Sequence, residues 1–63
     1  MVTTEFTFAS GVEAIAHFLK QGFTTVDEKS NGVRVMDDGI RVVRIEQVGF
    51  LEWKATMLSL EGL

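Results

Sequence analysis

Cysteine and proline are both absent from the 63-residue chain. Without cysteine there can be no disulfide framework, no thiolate metal cluster and no cysteine nucleophile. Without proline, and with no Ser- or Gly-rich stretch and no repeat, nothing marks a linker, so residues 1–63 read as a single small domain. Positive charge is also scarce. Six Lys and Arg stand against nine Asp and Glu, a net charge of −3 with a pI near 4.9. Such a balance lacks the field that captures phosphate backbones and disfavours nucleic acid as a partner. No apolar run approaches the roughly 18 residues that a membrane span needs, so no membrane partner is expected. Residues 1–5 carry neither a basic n-region nor an apolar h-region, so neither a signal peptide nor a transit peptide is expected, and the location expected is the cytoplasm.

What the chain does have is apolar surface. Hydrophobic residues make up 46% and the mean hydropathy is +0.20, too apolar for a disordered segment. At 7.0 kDa it lies near the lower end of what folds without a metal or a disulfide.

Ser10, Gly11, Val12 and Glu13 form a capping box, in which the Ser hydroxyl accepts from the Glu N–H while the Glu carboxylate reaches back. A helix is expected from Ser10 to about Gln21. Its buried stripe is Val12, Ile15, Ala16 and Leu19, widened by Ala14 and Phe18, with Glu13, His17, Lys20 and Gln21 opposite. Gly22 suits a left-handed C-terminal cap, and Phe23 then sits where it can fold back towards Phe18.

After Phe23 the pattern changes to short runs of Val, Ile, Thr and aromatics, expected as strands at 23–29, 33–37, 40–48 and 50–60. Tight turns at Ser30-Asn31-Gly32 and Asp37-Asp38-Gly39 separate the first three. Adjacent Val42 and Val43 break the alternation, which suggests a bulge or bend there rather than two apolar faces. Trp53, with Leu51, Ala55 and Met57, should face the helix. Residues 5–8 also alternate and could add a fifth strand. The expected fold is α+β, one helix packed on one face of an antiparallel four- to five-stranded meander in the order (β)αββββ.

Few residues invite chemistry. His17 is the only histidine, and Glu13 four residues earlier explains it as half of a surface pair. Asp37 and Asp38 lack calcium-loop spacing, and no phosphate-cradle, nucleophile-elbow or zinc-helix motif occurs. We therefore expect no catalytic, cofactor-binding or metal-binding residue, no cofactor, and no enzymatic activity. The alternative is a nucleic-acid-binding domain using Arg34, Arg41, Arg44 and Lys54, four strand residues whose charge Asp27, Glu28, Glu46 and Glu52 could cancel across strands.

The expected function is instead a small interaction module that pairs with itself and binds another protein. One helix covers one sheet face, leaving Phe50, Leu58 and Leu60, with Val26, Val42 or Val48, to form a self-association patch on a homodimer. Pairing of sheet edges through the runs at 40–48 or 50–60, with Ile45 or Thr56 near the axis, is the competing geometry. Replacing the helix cap tests the most local of these expectations: Ser10→Ala should cost about 1 kcal/mol in chemical denaturation, and an unchanged midpoint would exclude the capping role.

Overall fold

A computed structural model describes residues 2–59. The chain forms β1 (Val2–Phe8), α1 (Gly11–Lys20), β2 (Thr24–Glu28), β3 (Arg34–Asp37), β4 (Arg41–Gly49) and β5 (Glu52–Ser59). All strands join one antiparallel sheet of five, ordered β1-β5-β4-β3-β2. Strands β2 to β5 form a meander and β1 closes onto β5, so α1 carries the chain across one face from one sheet edge to the other. This is the expected α+β fold, and the strand expected at 5–8 belongs to the longer β1.

Both helix ends follow from their residues. Ser10 is extended (φ −148°, ψ 156°), and its Oγ accepts from the Glu13 N–H at 3.1 Å. At the other end the Phe23 N–H donates to the Phe18 carbonyl at 3.0 Å and the Gly22 N–H to that of Leu19 at 3.1 Å. Gly22 makes this reversal with φ 94°, where a side chain would be strained. The reversal swings Phe23 back onto Phe18, edge to face, with ring centroids 5.2 Å apart.

The core lies between α1 and one sheet face. Ala14, Phe18 and Phe23 are buried against Met36, Val43, Ile45 and Ala55, with Phe6, Phe8, Ile15, Trp53 and Met57 packed around them. The registers Phe6↔Ala55, Ala55↔Ile45 and Val43↔Met36 align these side chains in rows across neighbouring strands.

Several expectations are corrected. The helix is turned so that Ala14 and Phe18 are buried, leaving Val12 77% and Leu19 54% exposed. Phe18 is the largest apolar side chain of the helix, and small Ala14 one turn earlier lets the backbone approach the sheet. Trp53 faces the helix as expected but sits at the rim, half-buried against Gly11, where a β-carbon would stand 3.0 Å from Trp53 Cη2. There is no bulge at Val42 and Val43. The register is continuous there, with Val43 in the core and Val42 on the open face beside Leu58; the irregularities fall between Thr25 and Asp27 and between Gln47 and Gly49.

Lastly, β5 begins at Glu52, so Phe50 and Leu51 form the turn before it, and exposed Leu51 does not face the helix. Phe50 therefore does not share the open face with Leu58, and Leu60 lies outside the described residues. Strands β4 and β5 are both interior, which removes the edge pairing through Ile45 or Thr56. With Phe18 at the centre and Trp53 at the rim, Phe18→Ala should cost about 3–5 kcal/mol and Trp53→Ala only about 2 kcal/mol in urea denaturation. The reverse ranking would contradict this placement of the core.

Candidate functional site

The four strand cations do not gather into one surface. Arg34 pairs with Ile45 and Arg41 lies two residues before Val43, which puts both on the helix side but at opposite ends of the sheet. Arg44 and Lys54, opposite Thr56 and Glu46, lie on the open face. Each is held by an acid: Arg34 to Glu28 at 3.2 Å, Arg41 to Asp38 at 2.7 Å, Arg44 to Glu46 at 3.4 Å and Lys54 to Glu5 at 3.0 Å. Arg34 also donates to Thr25 Oγ1 at 2.9 Å, and the Arg41 guanidinium lies 5.0 Å from the Phe23 ring centre. Paired and divided between two faces, these groups lack the clustered charge that marks a phosphate-binding footprint.

Asp38 is the most committed carboxylate. Its Oδ1 accepts from the Ile40 N–H at 3.0 Å and the Arg41 N–H at 2.7 Å, while Oδ2 accepts from Arg41 Nε at 3.0 Å. These bonds close the β3–β4 turn at Asp38 and Gly39. They also explain why the Asp37-Asp38-Gly39 sequence needs no metal to account for it.

His17 is not the exposed partner of Glu13. Its ring is half-buried, 5.8 Å from Phe6, 5.4 Å from Phe8 and edge-on to Phe18 at 4.9 Å. Gln21 Nε2 lies 2.8 Å from His17 Nε2 and donates to it. The signal was available in the sequence: positions 14, 17, 18 and 21 share one side of a helix, and the alternating Phe6 and Phe8 needed something to cover them.

A cleft of about 270 Å³ opens between Asn31, Gly32, Val33, Glu46, Gln47 and Trp53. Its polar groups hold the fold: Asn31 Oδ1 accepts from the Val33 N–H, Gln47 Nε2 donates to the Gly49 carbonyl, and Glu46 binds Arg44. That leaves no nucleophile and base within reach of each other there.

The apolar candidates part company. Leu58 is half-buried on the open face beside Val42, a face it shares with Glu5, Asp37, Arg44, Glu46 and Lys54. Stacking two such faces would bury these charges, which opposes a face-packed dimer there. Phe50 stands at the β4–β5 tip, 91% exposed. Comparison with protein-family models, curated proteins and solved structures returns no match to this chain.

The Asp38 turn makes a pH-dependent prediction. Backbone N–H donation from Arg41 and Ile40, then the Arg41 side chain, lowers its pKa from 3.8 to about 2. A depressed carboxylate pKa stabilises the fold above the unfolded value and loses that contribution as pH falls through the folded one. Wild type should therefore be more stable than Asp38→Asn above about pH 4, with the gap closing towards about pH 2, in urea melts across that range. A gap independent of pH would contradict the assignment.

Proposed function

We propose that the protein is a non-enzymatic interaction module of the cytoplasm, which pairs with itself and acts by binding another protein. The observation that carries this reading is the β4–β5 tip. Gly49 pairs with Glu52, so Phe50 and Leu51 alone make the connection, a place normally taken by Asn, Asp or Gly. Leu51 holds φ 55°, a left-handed conformation that costs a non-glycine residue about 1–2 kcal/mol. Neither turn chemistry nor burial accounts for a Phe and a Leu at this position. Contact with a partner does.

The surroundings support a binding end. Val48 is exposed just before the tip, and the Gly11–Trp53 contact brings the start of α1, with exposed Val12, to the same end of the sheet. Glu13 and Glu52 are exposed there and enter no ion pair among the described residues. An apolar pocket with a basic rim complements such an end.

A double variant, Phe50→Ser with Leu51→Gly, separates binding from folding. Relief of the left-handed leucine should keep stability equal or raise it by about 0.5 kcal/mol. In quantitative capture from extract of the source cells, proteins held by wild type should be lost from the variant. Identical captured sets would contradict a role for the tip.

A further inference from the structure

The two edges of the sheet are not equivalent. At one edge, β2 is five residues long, exposed throughout, and broken between Thr25 and Asp27. Asp27 and Glu28 are ion-paired there to Lys29 and Arg34, so irregularity and charge both blunt this edge. At the other, β1 runs seven residues in unbroken register with β5, from Val2↔Ser59 to Phe8↔Trp53. It contains no lysine, arginine or proline, and its one charge, Glu5, is held by Lys54 of β5 at 3.0 Å. Its row of outward backbone N–H and C=O groups thus lacks the usual protection of an edge.

We propose that β1 is the dimerisation edge: two copies pair their β1 strands antiparallel about a two-fold axis at Phe6, giving one continuous sheet with both helices on the same face. This rests on the self-association reading and names its geometry. In this register Phe6 faces Phe6 of the second copy, Glu5 faces Thr7, and Thr4 faces Phe8. No like charges meet, whereas an axis at Glu5 would oppose two carboxylates. An axis at Thr4 would leave Phe8 beyond the paired segment.

A second copy suits this edge better than an unrelated strand because both layers must continue. The occupant has to present an aromatic ring beside half-buried Phe6 under a helix layer, and Thr and Glu on the open face. The same strand turned through the two-fold does both, and each contact counts twice. His17, packed on both phenyl rings, then stands beside the axis and flanks the joined aromatic row.

Thr7 provides the test because it is exposed and opposite Lys54 within its own chain, so an acid there leaves the monomer fold supported. Sedimentation equilibrium of wild type should give twice the 7.0 kDa chain mass. Thr7→Glu sets two carboxylate pairs across the axis and should raise the dimer Kd about tenfold, while Thr7→Lys should lower it. Circular dichroism on each variant confirms that the fold is retained. A wild-type dimer indifferent to both substitutions would overturn the β1 geometry and leave self-association standing. A wild-type species of 7.0 kDa at all concentrations would overturn both.

Discussion

Phe18 is the contact on which the remaining structure depends. Its ring meets Phe23 at 5.2 Å, Phe6 at 5.5 Å, Phe8 at 6.2 Å and His17 at 4.9 Å, all edge to face. Through Phe23 it fixes the entry to β2, and through Phe6 and Phe8 it holds β1 against the sheet, so one side chain joins both edges to the helix. A chain of this size has few other ways to bury enough surface. The C-terminal cap of the helix serves the same contact, because the reversal at Gly22 is what delivers Phe23 to Phe18.

The sequence marks the fold where the chemistry is local. Ser10 with Glu13 set the helix start, Gly22 with Phe23 set its end, and the Asn31-Gly32 and Asp38-Gly39 turns fell in place. The buried helix face is not legible from periodicity because the helix carries two apolar stripes: Val12, Ala16 and Leu19 on one side, Ala14 and Phe18 on the other. Periodicity alone does not choose between them; the size of Phe18 and the pair of phenyl rings on β1 do. The run from 50 looks like one strand because Phe50 and Leu51 have no turn chemistry, and a turn built from such residues leaves no local mark. The same anomaly makes them candidates for contact with a partner.

Charge in this protein is spent chiefly on architecture. Arg41 is clasped by Asp38 and lies over Phe23, Arg34 ties β3 to β2, and Lys54 draws Glu5 back from the β1 edge. The cations that suggested a nucleic-acid surface in the sequence are thus distributed over two faces and neutralised. Among the described residues, exposed Val12, Val48, Phe50 and Leu51 gather at the β4–β5 end, with Leu19, Val26 and Ile40 exposed elsewhere, whereas β1 is the longer and unbroken of the two edge strands. The proposed partner contact and the proposed self-pairing thus use different parts of the molecule, and neither need block the other.

Amide hydrogen exchange measured over a range of protein concentrations distinguishes the two edges of the sheet. Covered by a second copy, the outward amides of β1 should be protected at high concentration and exchange faster on dilution, while those of β2 exchange at a constant rate. Equal, concentration-independent exchange at the two edges would contradict the account.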